Sequence, residues 1–192
     1  MSTPREVRQV TDAKVLAAMA HPLRWRLIDV LKVDGPSTAS ALAERTEQRV
    51  ANISHHVRVL ADAGLVEEVP ELARDRRERW WRLVSSSLRW SPEDFTGDPA
   101  AEAVAQAAQS LSLDRHAAHA RAWFAAGDEE RDPWRDTSFS TDKWLHLTPA
   151  ELAELNRQVI ELFATWSERA IPDDGARREP VLVFAYGIPA QP

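Results

Sequence analysis

Val50-Ala51-Asn52-Ile53-Ser54-His55-His56-Val57-Arg58-Val59-Leu60-Ala61-Asp62-Ala63-Gly64 is the stretch on which the fold turns. Val50, Ile53, Val57 and Leu60 recur at helical spacing, so they form one buried stripe of a helix running from about Arg49 to Ala63. Ala51, Asn52, Ser54, His55, Arg58 and Asp62 point away from that stripe. Most of these are small or hydrogen-bonding groups, which approach base edges without a steric or charge penalty. Gly64 follows as the C-terminal stop.

Working upstream, Val15, Leu16, Met19 and Ala20 mark a helix over Thr11–Ala20, capped by Thr11 or Asp12. His21-Pro22 interrupts it, because proline pushes its predecessor out of the α region and then suits the first turn of a new helix. Leu23, Leu27, Ile28 and Leu31 give this second helix an apolar face, and Gly35-Pro36 ends it. Ser37 or Thr38 caps a short third helix, Ala39–Arg45, with Leu42 facing inward; Thr46-Glu47-Gln48 then links to the fourth. Downstream, Leu65–Val69 and Arg79–Val84 have strand character, separated by the polar loop Pro70–Glu78. Helix, helix, turn, helix and basic hairpin together make a winged helix-turn-helix, whose fourth helix enters the major groove. The expected DNA contacts are Arg49, Asn52, Ser54, His55, His56 and Arg58 on that helix and Arg74, Arg76, Arg77 and Arg79 on the wing. His56 sits toward the side of the helix, to pack or to touch phosphate, and Trp80 and Trp81 pack the second strand onto the helices.

Ala18-Met19-Ala20-His21-Pro22-Leu23-Arg24-Trp25-Arg26-Leu27-Ile28 resembles the opening of the ArsR-type bacterial repressors. Ile53–Leu60 and Ala63-Gly64-Leu65-Val66 are similar to that family's recognition helix and its exit, so the resemblance covers about residues 11–84. It implies a dimeric bacterial transcription factor, usually a repressor released by an effector. The chain departs from the pattern in two places. Ser40-Ala41-Leu42-Ala43-Glu44 lacks the Cys-x-Cys pair of many metal sensors, and Val50 and Ala51 stand where relatives usually carry polar residues. Asp114, His116 and His119 resemble an Asp-x-His fragment of some family metal sensors. That leaves a zinc-type sensing repressor as one alternative and solvated or interface histidines as the plainer reading.

The net charge of −6 divides unevenly: residues 1–84 carry 14 Lys+Arg against 12 Asp+Glu, and the remainder 10 against 18. A near-neutral first half suits DNA when its positive charge is clustered, whereas the acidic second half is not a phosphate contact. With no cysteine, disulfides, thiolate metal sites and cysteine nucleophiles are excluded, and a cytoplasmic setting is expected. No stretch has the apolar length of a membrane span, and the polar start carries no secretory pattern.

Beyond residue 84, Asp98-Pro99 opens a long alanine-rich helix to about Ala126, read as a dimer scaffold, followed by an acidic loop from Asp128 to Asp136. Ser138–Leu147 alternates as a strand would, Thr148-Pro149-Ala150-Glu151 is a capping box, and Pro180–Tyr186 is an apolar strand. Residues 137–188 therefore read as a strand–helix–strand unit whose strands pair with each other or across a dimer. The expected domains are 1–84 (winged helix-turn-helix), 85–136 (linker and dimerisation helix) and 137–192 (small C-terminal unit), in a mainly α protein with a small β content (α+β). Trp123, Trp134, Trp144, Phe163, Trp166 and Tyr186 are either core or the lining of a pocket for a small apolar effector.

The chain has no Gly-rich phosphate loop, G-x-S-x-G or H-E-x-x-H motif, so no enzyme activity and no cofactor are expected. The expected function is sequence-specific binding of double-stranded DNA by a homodimer at a near-palindromic operator. A winged helix that binds protein in place of DNA is the remaining alternative.

Overall fold

The computed structural model describes residues 7–75, 77–85, 87–90, 92–127 and 134–191. In chain order the elements are β1 (Val7–Gln9), α1 (Ala13–Met19), α2 (Pro22–Asp34), β2 (Ser37–Thr38), α3 (Ala39–Thr46), α4 (Val50–Asp62), β3 (Val66–Glu68), β4 (Trp80–Leu83), β5 (Ser87–Arg89), α5 (Pro99–Ala125) and α6 (Pro149–Glu168). The chain forms two compact units, Met1–Arg121 and Ala122–Pro192.

Local chemistry sets the helix starts of the first unit. Asp12, and not Thr11, caps α1 by accepting the Lys14 N–H at 2.8 Å. His21 caps α2 through Nδ1, which accepts the Leu23 N–H at 3.1 Å, and Pro22 fills the first turn. Thr38 caps α3 by accepting the Ala41 N–H at 3.2 Å. Arg49 stands at the cap position of α4 and donates no side-chain bond to it. Between α3 and α4 the chain reverses through Glu47, which has a left-handed φ of 56°; its turn is secured by the Gln48 N–H donating to the Ala43 carbonyl at 2.9 Å.

Leu16, Met19, Leu27, Ile28, Leu42, Ile53, Val57 and Leu60 form the centre of the core, which joins α1 to α4. Thr46 belongs to it as well. The sequence pattern put Thr46 in the linker, yet it ends α3 fully buried, with its hydroxyl donating to the Leu42 carbonyl at 2.6 Å. With its one polar group satisfied inside its own helix, threonine packs as a β-branched hydrophobe.

The wing is a three-stranded antiparallel sheet in the order β2-β4-β3, with Val66 opposite Leu83, Glu68 opposite Trp81 and Thr38 opposite Trp80. Thr38 thus serves both in the edge strand and as a helix cap. β1 and β5 form a parallel pair that the sequence pattern did not signal. Three residues a side are too few to show an alternation.

α5 packs onto this unit through Ala101, Ala105, Ala108 and Ser112, buried one helical turn apart. Alanine lets the helix approach the core closely, so its alanine-rich face is an internal seam of the fold. Further along, the Arg115 guanidinium holds Asp29 of α2 at 2.7 Å and lies 4.7 Å from the Trp25 ring centre. The first unit therefore continues past residue 84 as far as Arg121.

In the second unit, Thr148 and Glu151 close the expected capping box at the start of α6. The strands expected at Ser138–Leu147 and Pro180–Tyr186 do not form: no ladder follows β5 among the described residues. Alternating polarity expresses a preference for extended backbone, but a strand exists only when a neighbour about 4.8 Å away accepts its hydrogen bonds. Among the described residues of this unit no segment takes that place. No helix among the described residues is long and apolar enough to cross a membrane.

Candidate nucleic-acid interface

α4 divides its residues as a groove-reading helix must. Ile53, Val57 and Leu60 are at most 1% exposed, while Ala51, Asn52, His55, Arg58 and Asp62 stand on the opposite, exposed face. Asn52 Nδ2 donates to Gln48 Oε1 at 3.3 Å, which orients its amide along the helix start. Ser54 is half-buried at the edge of the face, and Arg49 is exposed one residue before the first turn. Arg49, Asn52, His55 and Arg58 therefore share a surface, Ser54 borders it, and His56 turns aside.

His56 packs against His21, with ring centres 4.5 Å apart, and its other face meets His55 edge-on at 5.3 Å. The two rings sit in an open cleft of about 490 Å³ between α4 and the start of α2, lined also by Leu23, Arg26, Gln48 and Asn52. Burial, helped by the Arg24 charge, holds the His21 imidazole below its ordinary value. Burial also lowers His56, and the charges of His21, His55 and Arg24 add to the effect. Both rings are thus neutral in the fold at a pH where the unfolded chain starts to take up protons. Between the unfolded value near 6.5 and the lower folded values, the unfolded state binds more protons, so stability falls as pH drops below about 6.5. We expect His56→Gln to remove part of that acid loss. Urea unfolding at pH 7.5 and pH 5 measures it: the gap between the two stabilities narrows in the variant. An unchanged gap would show that the pair does not titrate on folding.

The wing turn resolves what its mixed charges do. Asp75 Oδ1 accepts the Arg77 N–H at 2.7 Å and the Glu78 N–H at 3.1 Å, while Glu78 accepts the Arg74 N–H at 2.8 Å. These carboxylates shape the turn through the backbone. Arg74 and Arg77 are exposed, and their guanidinium groups have no ion-pair partner among the described residues. Arg79 is engaged differently, with Nε 3.8 Å from Glu68 Oε1, and Arg82 Nε lies 2.7 Å from Glu67 Oε1 across the ladder. Arg76 lies outside the described residues. Trp81 packs on the core, as the pattern suggested.

The other sequence candidates lie outside the α4 face. His116 is half-buried beside Arg115, whose Nη2 lies 2.9 Å from His116 Nε2. A guanidinium only donates, so that ring nitrogen accepts, and burial and the Arg115 charge keep the ring below its ordinary value. Asp114 and His119 are exposed, and no group of three potential ligands gathers among the described residues. Residues 128–133 of the acidic loop lie outside them. In the second unit, Trp144, Trp166 and Tyr186 are exposed, whereas Trp123, Trp134 and Phe163 are half-buried. A groove of about 400 Å³ there is lined by Leu145, Leu147, Ala150, Glu151, Glu154, Leu155 and Gln158, and none of the six aromatics contributes. The residue that sequence reasoning passed over is His21. Its role beside His56 depends on α2 starting next to α4, which no spacing encodes.

No curated protein matches the chain. Among solved structures, the transcriptional regulator PA4135 is 18% identical with a TM-score of 0.35, over 74% of this chain and 78% of that one. A mutant form of Lactococcus lactis ZitR is 15% identical with a TM-score of 0.31, over 74% of this chain and 73% of that one. The family match falls on the segment whose geometry has just been described. Residues 19–69, from the end of α1 through α4 and β3, match the family described as a helix-turn-helix domain.

Proposed function

We propose that this chain is a transcription regulator of the ArsR type that binds a near-palindromic operator as a homodimer. In this reading α4 lies in the major groove, with Arg49, Asn52, Ser54, His55 and Arg58 toward bases and adjoining phosphates. The wing arginines Arg74, Arg76, Arg77 and Arg79 contact the backbone, and His56 supports His55 from the side. The two copies of α4 enter successive major grooves about 34 Å apart. The observation that carries the reading is the division of α4: a dry stripe that locks it to α1–α3 and a continuous polar face with no packing duty. Repression is the simplest output, since a dimer seated on an operator occludes it. An effector that favours one dimer geometry would release it.

The test is binding of the purified full chain to its own upstream DNA, as a salt series with random-sequence competitor. Saturable binding that survives competitor and falls steeply with salt supports the reading. In the same assay Arg74→Glu with Arg77→Glu weakens binding to every sequence and flattens the salt dependence by about two units in log–log slope. If partner binding of any kind persists with an unchanged slope, the winged helix is a protein-interaction module.

A further inference from the structure

The segment between the acidic loop and α6 is extended, apolar and exposed. Residues 139–147 form no hydrogen bond among the described residues, through either backbone or side chain. Thr148 anchors the end of the segment by capping α6, so it leaves a fixed point. It nonetheless leaves Phe139 78% and Trp144 61% exposed, along with Leu145 and Leu147. Leu162 and Trp166 of α6 are exposed too, and no residue of that helix is buried. An exposed apolar segment with free backbone donors and acceptors is an open template for another strand.

We propose that Ser138–Leu147 is an interaction surface for a second copy of this chain, which pairs with it as a strand and covers the exposed apolar side chains of α6. This deepens the homodimer of the proposed function and rests on that reading for the presence of two copies. Three observations favour a second copy. First, the six residues named above expose on the order of 700 Å² per copy, against about 800 Å² per partner in a standard stable interface. Second, the segment holds one acid and one base, Asp142 and Lys143, so it is neutral apart from His146 and two copies meet without net repulsion. Neither residue has an ion-pair partner among the described residues. Third, antiparallel pairing of one segment with itself is compatible with two-fold symmetry, the commonest arrangement of soluble oligomers.

The absence of cysteine makes the test clean. Full-length Lys143→Cys, treated at low micromolar concentration with a short bismaleimide, should give a covalent dimer. Arg74→Cys, at the exposed wing, should not. Light scattering of the unmodified chain should return twice 21.6 kDa, and Leu145→Asp should raise the dimer dissociation constant at least tenfold with its helical circular dichroism retained. A monomer at every concentration overturns the inference, and leaves the surface to a different protein or to the chain's own C-terminal residues. A dimer that survives Leu145→Asp and yields no Lys143→Cys cross-link also overturns it, because the copies then meet elsewhere. DNA binding by the same preparations keeps the two ideas apart. Operator binding without cross-linking sinks only the inference, and cross-linking without operator binding sinks only the regulator reading.

Discussion

Leu60→Ala is expected to lower the unfolding free energy of the first unit by about 2–5 kcal/mol. Leu60 is 0% exposed and stands where α4 meets the rest of the core. Truncation removes its transfer free energy and leaves a cavity that surrounding helices, pinned by caps and short turns, fill only in part. Set against a total stability of about 5–15 kcal/mol, the loss is large enough to shift the urea midpoint visibly. Val33→Ala on the exposed side of α2 provides the contrast: Val33 is 50% exposed, and its truncation should stay within about 0.5 kcal/mol. Equal losses from the two variants would mean that α4 is not docked through its Ile53, Val57 and Leu60 stripe.

Asn52→Ala combined with His55→Ala should weaken operator binding by about 2–6 kcal/mol, because each well-placed base contact discriminates by about 1–3 kcal/mol. Affinity for random DNA should hardly move, since both residues lie on the exposed face of α4 and carry none of its core packing. Titrating the operator and a scrambled duplex at one salt concentration separates the terms. A parallel loss on both duplexes would assign the two residues to phosphate. No loss on either would remove α4 from the interface. His56→Gln is a useful companion, since the His56 ring packs on His21 and does not share that face.

The winged helix was legible because its signals are local and mutually consistent. The His21-Pro22 break and the Thr38 cap fall where expected, and the α4 stripe holds at Ile53, Val57 and Leu60, whereas Val50, expected to belong to it, is 46% exposed in the first turn, where no neighbouring helix covers it. The differences arise where a neighbour distant in sequence decides. Thr46 looked like linker until its hydroxyl closed on Leu42. The long helix was read as a dimer scaffold, and its sequence did not show that Ala101, Ala105, Ala108 and Ser112 form a stripe buried in the first unit. Among the site residues, the face of α4 followed from periodicity alone. The pairing of His56 with His21, and the engagement of Arg79 with Glu68 while Arg74 and Arg77 have no ion-pair partner among the described residues, did not.

The C-terminal unit marks the boundary most sharply. Hydrophobic periodicity and capping chemistry act within a few residues, so sequence alone determined where α1 to α4 and α6 lie and which face of α4 is polar. A strand is different, because half of what makes it a strand is supplied by another segment. Ser138–Leu147 and Pro180–Tyr186 have the residue types of strands, and only the tertiary structure shows that neither joins a ladder among the described residues. The same holds for the grip of Arg115 on Asp29 and for the packing of His56 on His21: residues 86 and 35 positions apart meet because the packed core places their backbones there.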